Sequence, residues 1–564
     1  MVSRTHLVLP LNANASEWAT VPARHAVLLI AHNITTLSRL LDIVPAFDSD
    51  PRVQMFFTAT ESDPFRHELV AQISATGMIY LPWAEVVDLP FDLAISASHH
   101  DNVSTVLAPL VILSHGIGYT KYSPGTRNQE PGTRNVFGMS PEWVLHDGLP
   151  FAHALVLSHT DQLSQLAQSA PAALPTAFVA GDPCYDRITA SLPFRTRYRD
   201  SLGIDDRTLV YVSSTWSASS AVGTRFDLLR ALLAELPRDS YAVATALHPN
   251  ISHRHGPGQI RQWFADCLRS GLLILPEIDD WRTGLIAADV VIGDNGSVTG
   301  YSASIGRPTL LATFPDVPDG TAISALGATA DRLPAAGPYR HLLDAAIADH
   351  DRRRFTGVAA LVTTEPGRAL YRLRSLFYQL LDLAPPSAEV LSQILPAPAP
   401  PAALSSVADR VVANVDHPQR VIRVVRHPAE AHRSVFGHDA VRRNADGCSW
   451  HLCCSIDYPL RSLRQRADVL IGRSTDAAGN APAWLREVLR RNPFCMVAAI
   501  VDGDASIALT RAGELVTVSA PGAPVDALAS ALFAWIDTGH PLTDMALATT
   551  LEIGNARYEL AVHT

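Results

Sequence analysis

Lysine is almost absent from this chain: it occurs once, at Lys121, and arginine supplies every other strong positive charge. Abundant Ala and Pro accompany that imbalance, the mark of a GC-rich coding composition, so the arginine excess carries little functional information. Net positive charge is also lacking. A formal charge of -10 gives no global attraction to nucleic acid or anionic lipid, which excludes a polyanion-coating role and makes nucleic acid an unexpected partner. Mean hydropathy is high at +0.11, yet no stretch approaches the roughly 20 uninterrupted apolar residues of a membrane span. Met1 to Pro10 lack an apolar segment followed by a small-residue cleavage site, so a cytoplasmic location is expected. Arg352-Arg353-Arg354 reads as a charged surface turn and leaves open peripheral contact with the inner face of a membrane.

Cysteine is sparse as well. Six are scattered over 564 residues, which suits reduced thiols rather than a disulfide framework. Cys448, His451, Cys453 and Cys454 cluster, but adjacent Cys453 and Cys454 point to opposite faces of a strand, and no second pair follows at finger spacing. No metal site is expected. His99-His100 and His253-Arg254-His255 have neither an adjacent carboxylate nor i, i+4 spacing, and read as solvated loops.

What the chain does contain is alternation. Short apolar runs at Ala26 to Ile30, Val53 to Thr58, Met78 to Leu81, Phe91 to Ser96, Leu110 to Ser114, Ala154 to Leu157 and Ala177 to Ala180 alternate with amphipathic helical patterns. That rhythm predicts crossover connections and a mostly parallel sheet, a Rossmann-like unit spanning residues 1–186. It repeats at Leu209 to Val212, Ala242 to Leu247, Leu272 to Leu275, Val290 to Ile292 and Thr309 to Ala312, giving a second unit over residues 187–390. Leu370, Leu373, Leu376, Phe377 and Leu380 stand at helical spacing, in a segment that closes the second unit or crosses back toward the first. A Pro/Ala-rich linker is expected at residues 391–406. Residues 407–564 read as a small α+β domain of unspecified role, with strands at Val421 to Val425, His451 to Cys454, Met496 to Val501 and Leu515 to Ser519.

Polar groups and glycines gather where the strands end, which is where open α/β sheets bind ligands. Ser297-Val298-Thr299 follow Asn295-Gly296 and open a helix, so backbone N–H groups and the positive end of the helix dipole would face a bound diphosphate. Asp294, Gly296, Ser297 and Thr299 are therefore candidate donor-binding residues, with helix capping as the alternative role of Asp294 or Ser297. Ser213, Ser214 and Thr215 offer hydroxyl and backbone donors from the opposite side. His115, at a strand end, has the pKa range of a general base for an attacking hydroxyl, and His248 is placed to donate to phosphate oxygens. Gly116 and Lys121, in the loop after His115, are candidate acceptor or phosphate contacts.

Five motifs in order, His115-Gly116, Gly181-Asp182-Pro183 with Asp186, Tyr211 with Thr215-Trp216, His248-Pro249, and Asp294 with Ser297, resemble the CDP-glycerol glycerophosphotransferase family of teichoic-acid-type polymerases. The resemblance covers roughly residues 25 to 385. It implies a GT-B-like pair of Rossmann-like domains and transfer of glycerol phosphate from a CDP-activated donor to an acceptor hydroxyl, in cell-surface polymer biosynthesis. No cofactor is implied beyond the nucleotide-diphosphate donor. The chain departs from the family pattern at Cys184 in place of Arg, at Ser214 and Ser217 around Thr-Trp, and at Tyr301 where an Asp aligns. Those departures leave two alternatives, a GT-B glycosyltransferase using a nucleotide-sugar and a non-catalytic nucleotide-binding scaffold. The acceptor and the oligomeric state are not specified by these residues.

Overall fold

The computed structural model describes residues 20–21, 23–61, 66–100, 102–123, 135–402, 404, 406–435, 449–477, 479–546 and 549–563. Its first sheet holds β1 (His25–Ala31), β2 (Val53–Ala59), β3 (Ile79–Tyr80), β4 (Leu93–Ser96), β5 (Leu110–Ile112), β6 (Ala154–Leu157) and β7 (Ala177–Val179). They lie in the order β3-β2-β1-β4-β5-β6-β7, all parallel. Along β1, Val27, Leu29 and Ala31 enter one core while Ala26, Leu28 and Ile30 enter the other. Burial on both faces is why a parallel strand reads as an unbroken apolar run.

The second sheet repeats the plan with β8 (Thr208–Ser214), β9 (Tyr241–Leu247), β10 (Leu273–Ile274), β11 (Val290–Gly293), β12 (Thr309–Leu311) and β13 (Asp331–Arg332). Its order is β10-β9-β8-β11-β12-β13, again parallel. In both sheets the order reverses beside the first strand, which opens a crevice at the carboxyl ends of the strands.

Two connections join the units. Gly181 has φ +100, and a Cβ there would sit 2.8 Å from Thr363 Oγ1 and 3.2 Å from Ala369 Cβ. Five residues on, the Asp186 carboxylate accepts from the N–H groups of Gly367 (2.6 Å) and Ala369 (2.9 Å), at the start of the helix Ala369–Leu380. Burial pushes the Asp186 pKa up to about 6 against those bonds. The helix itself does cross back: Leu370, Leu373, Leu376 and Phe377 lie in a core of the first unit.

The Pro/Ala-rich stretch is more firmly held than its composition suggests. Leu395 is fully buried in the core of the second unit, its N–H donates to Ser191 Oγ (3.0 Å) and its carbonyl accepts from Tyr198 Oη (2.9 Å). Beyond it, the α+β segment takes a form that strand alternation alone did not indicate. Nine strands close into a barrel: β14 (Ala408–Asp416), β15 (Val421–Pro428), β16 (Ser449–Ser455), β17 (Val469–Arg473), β18 (Val497–Asp502), β19 (Ala505–Thr510), β20 (Leu515–Ser519), β21 (Thr549–Ile553) and β22 (Ala556–His563). Every strand contributes to one core shared with the helix Leu528–Asp537, which is buried from Leu528 through Trp535. Cys453 faces that core while Cys454 faces a second one on the outside of the barrel, so the adjacent thiols do part to opposite faces. Cys448 lies outside the described residues; the five described cysteines are buried free thiols.

Ion pairs fasten the barrel to the second unit. Arg426, itself buried, bonds Asp239 (2.6 Å) and Asp526 (2.8 Å), and Arg238 meets Asp409 (2.9 Å). Glu430 accepts from Arg269 Nε (2.9 Å) and Tyr458 Oη (2.6 Å). Among the described residues no helix is long and apolar enough to cross a membrane, and no group of three or more His, Cys, Asp or Glu is placed to hold a metal ion.

Candidate active site

The crevices of the two sheets open onto a shared cavity of about 150 Å³. Its walls are strand ends: Ser114, His115 and Gly116 after β5, Ser213 to Thr215 at the end of β8, Leu247 and His248 at the end of β9, Glu277 and Trp281 after β10, and Gly296 and Ser297 after β11. The loop after β5 presses against the helix Ser297–Ser304, where Ile117 N–H donates to Ser297 Oγ (3.2 Å). A Cβ on Gly116 would sit 2.7 Å from that hydroxyl, and one on Gly300 would sit 2.8 Å from Ile117 Cδ1. At both glycines the units approach closely enough that a side chain would clash, a steric reason for the His-Gly pair.

As the two sheet orders and the cleft between them indicate, the fold is GT-B-like. No family model and no curated protein matches the chain. Among solved structures, the wall teichoic acid polymerase TagF soaked with CDPG is similar over 64% of this chain and 89% of its own, at 12% identity and a TM-score of 0.44. Alr3699/HepE of Anabaena in complex with UDP-glucose is similar over 64% and 99%, at 13% identity and 0.38. A glycosyltransferase from Rickettsia africae ESF-5 is similar over 64% and 100%, at 9% identity and 0.38. These likenesses extend no further than general architecture.

Nine of the eleven candidate residues line the cavity: His115, Gly116, Lys121, Ser213, Ser214, Thr215, His248, Gly296 and Ser297. Asp294 and Thr299 do not. Both are fully buried, and Asp294 is spent on the loop itself: Oδ2 accepts from Thr215 N–H (2.8 Å), Thr215 Oγ1 (2.8 Å) and Ala221 N–H (3.0 Å), and Oδ1 accepts from Gly296 N–H (3.0 Å). Thr299 Oγ1 accepts from Asp294 N–H (3.2 Å). Their carboxylate and hydroxyl hold the β8 and β11 loops together and do not line the cavity. The cap on the Ser297–Ser304 helix is Gly296, which offers no side-chain acceptor, and the helix start lines the cleft through Gly296, Ser297 and Val298.

His248 Nδ1 accepts from Asn250 N–H (3.1 Å), which fixes the tautomer: the proton is on Nε2. Burial, with Lys121, His115 and His253 nearby, drops the His248 pKa to about 3. Burial drops His115 to about 3 as well, helped by Lys121, Arg39, His100 and His99. Both imidazoles are accordingly neutral at pH 7. Lys121 is exposed to water, yet surrounding protein lowers its pKa against the pull of Asp294. A concave wall reconciles the two, being dense with atoms and open to solvent.

The sequence reading passed over Arg39. From the helix Ile34–Ile43 it reaches Asp182 Oδ1 (2.7 Å), Tyr301 Oη (2.9 Å) and the Gly116 carbonyl (3.2 Å), while Tyr301 Oη donates to Asp182 Oδ2 (2.6 Å). Asp182 also caps the helix Pro183–Ser191. Burial opposes the charge on Arg39, but Asp182, Tyr301, Cys184 and Asp42 hold its pKa well above the ordinary value. A second cluster links Arg282 to Asp42 (2.8 Å) and Asp279 (2.6 Å), with Arg187 on the same two carboxylates (3.1 and 3.0 Å). Together these pairs clamp the first unit to the second beneath the cavity. An arginine between Leu37 and Leu40, on the apolar side of the helix, is the one local signal that could have drawn notice to Arg39.

Of the two histidine loops expected to be solvated, one is covered and the other is covered only at His253. His99 is buried with Nδ1 on the Trp143 carbonyl (3.1 Å), and His100 stacks on His32. The His253 side chain is 8% exposed and lies 3.5 Å from Glu277, while Arg254 and His255 are exposed as expected. Packing within each unit covers these histidines, His99 on Trp143 and His100 on His32 in the first and His253 beside Glu277 in the second, contacts no local pattern encodes. Arg352, Arg353 and Arg354 are exposed in a turn.

Proposed function

We propose that this chain is a transferase that binds a nucleotide-diphosphate-activated donor in the cleft and passes its activated group to an acceptor hydroxyl. The observation that carries this reading is the convergence of neutral His115, neutral His248, Lys121 and an uncapped helix start on one cavity at the carboxyl ends of two parallel sheets. A diphosphate answers that field. Its charge offsets the cations that depress the imidazoles and raises their proton affinity, so His115 becomes an effective base only with donor in place. With CDP-glycerol as donor, the acceptor oxygen attacks the β-phosphorus as His115 takes its proton, the bond to the bridging oxygen breaks, and CMP leaves with the electron pair. His248 Nε2–H and the helix N–H groups oppose the charge on the phosphates.

A nucleotide-sugar donor is favoured by one further observation. Arg39 and Arg282 line the cavity but are committed to Asp182 and to Asp42 and Asp279, and Cys184 brings no charge, so the cleft holds less cationic charge than a transferred phosphate would use. The test is a thermal-shift panel of CDP-glycerol, CDP-ribitol and common UDP-, GDP- and TDP-sugars, followed by analysis of released nucleotide. Saturation at 100 times Kd adds about 2.7 kcal/mol. Release of CMP supports polyol-phosphate transfer, release of a nucleoside diphosphate supports glycosyl transfer, and no response to any donor overturns the transferase reading in favour of a scaffold.

A further inference from the structure

A second cavity, of about 670 Å³, adjoins the first at its outer side. Three loops divide consecutive residues between the two: His99 lines the inner cavity and His100 the outer, Thr215 the inner and Trp216 the outer, His248 and Pro249 the inner and Asn250 the outer. Anything held in the outer cavity is therefore one residue's breadth from the proposed reacting centre, on the side away from the Ser297–Ser304 helix. The volume lies within the roughly 300–1,000 Å³ of small-ligand sites.

The walls are unusual for a surface groove. Trp216 is 51% exposed and Phe226 41%, both on the second unit beside Trp263, and the stacked pair of His32 and His100 (4.8 Å between centroids) faces them from the first unit. Exposed aromatics in one concave patch mark a binding surface. Their planes cross steeply: Phe226 meets Trp263 at 81° and His255 meets Trp263 at 56°. Neither ring lies parallel to Trp263, so neither sandwiches a flat base with it. Such crossed faces suit a thicker puckered ring with C–H groups on its faces, and Asn33, Asn250 and Ser217 are interleaved to meet hydroxyls at its rim. Among the described lining residues there is no carboxylate, while Arg254 adds a cation.

We infer that the outer cavity is the acceptor subsite and that it takes a saccharide, stacked on the aromatic wall of Trp216, Phe226 and Trp263 with its reactive hydroxyl directed between Thr215 and His248. The inference rests on the transferase reading for the word acceptor, but not for the saccharide. The experiment uses the full chain with fluorescein-labelled oligosaccharides of N-acetylglucosamine, glucose and mannose, read by fluorescence polarisation. Saturable binding of at least one probe is expected, weakened tenfold or more by Trp263→Ala and by Phe226→Ala, and held within about threefold by Trp263→Phe. Nucleotide-donor thermal shifts should be unchanged in all three variants, and circular dichroism reports their folding. Absence of saturable binding by every probe overturns the inference, as does wild-type affinity in the folded alanine variants. Loss of donor shift instead of saccharide binding in Trp263→Ala would make the cavity part of the nucleotide site. Saccharide binding with no response to any nucleotide donor refutes the transferase reading alone, leaving the saccharide site and removing its role as acceptor.

Discussion

Gly116 of the first unit lies so close to Ser297 of the second that a Cβ on Gly116 would stand 2.7 Å from Ser297 Oγ. The backbone at Gly116 does not require glycine, since its φ is not positive; the requirement is space. Gly116→Ala is accordingly expected to push the β5 loop off the helix and lengthen the Ile117–Ser297 bond, at a cost of about 1–3 kcal/mol. Ser297→Gly added to Gly116→Ala should recover part of the loss by removing the atom that is struck. A thermal melt of the two single variants and the double variant checks this, and a double variant less stable than both would contradict it.

The two histidines should separate by role. His115→Ala is expected to slow the chemical step with donor affinity nearly unchanged, because a base acts on the acceptor. His248→Ala should weaken donor binding as well as turnover, and Ser297→Ala should do so more mildly, since backbone N–H groups remain. Calorimetric donor titration with single-turnover rates decides the matter; equal affinity losses in both histidine variants would remove the general-base role of His115.

Acid should destabilise the empty protein through the same residues. His115 and His248 have folded-state pKa values of about 3 against about 6.5 unfolded, so below pH 6.5 the unfolded chain binds more protons. Stability is then full above pH 6.5 and falls progressively toward pH 3, with buried His99 and half-buried His427 and His432, all near 4, adding to the slope. His115→Gln and His248→Gln should flatten this limb. Donor binding near pH 6 should take up protons, seen as a buffer-dependent calorimetric enthalpy; a buffer-independent value would count against diphosphate contact with the imidazoles.

The Arg39, Asp182 and Tyr301 group should behave as a coupled unit. Arg39→Met leaves the Asp182 carboxylate buried without its cation, expected to cost about 3–5 kcal/mol. Tyr301→Phe removes one hydroxyl that both donates and accepts, for about 1–3 kcal/mol. A double-mutant cycle between Arg39→Met and Asp182→Asn should give a coupling energy well above the few tenths of a kcal/mol of independent sites. Additivity would show that Arg39 and Asp182 do not act as a unit.

Truncation should distinguish residues inside the Pro/Ala stretch. A chain ending at residue 402 keeps buried Leu395 with its Ser191 and Tyr198 bonds, whereas one ending at 390 loses them. The longer fragment should melt higher, by the roughly 2–5 kcal/mol of a buried leucine. Both should be less stable than the full chain, since removing the barrel strands Asp239 and Arg269 without Arg426 and Glu430. Equal melting of the two fragments would show Leu395 to be incidental.

Strand periodicity, strand-end punctuation and the order of the motifs were properties of the sequence by itself, because a parallel strand buried on both faces writes its apolar run locally and glycine or histidine at its end interrupts it. That is why His115, His248 and Ser297 were legible as cleft residues. Asp294 and Thr299 stand apart from the cavity wall because adjacency in a motif does not say which way a side chain turns. Asp294 turns inward to Thr215, 79 residues away, a choice settled by pairing of the β8 and β11 loops. Barrel closure depends on register between distant strands such as β15 and β21, which alternation cannot encode. Only the tertiary structure decided the rest: the Arg39 clamp, the covered histidines and the aromatic groove. The clamp and the groove join residues more than 100 apart in the chain, as Arg39 and Tyr301 are, 262 apart, through packing of one unit against the other, while the covered histidines meet partners within their own unit, as His99 meets Trp143, 44 residues on.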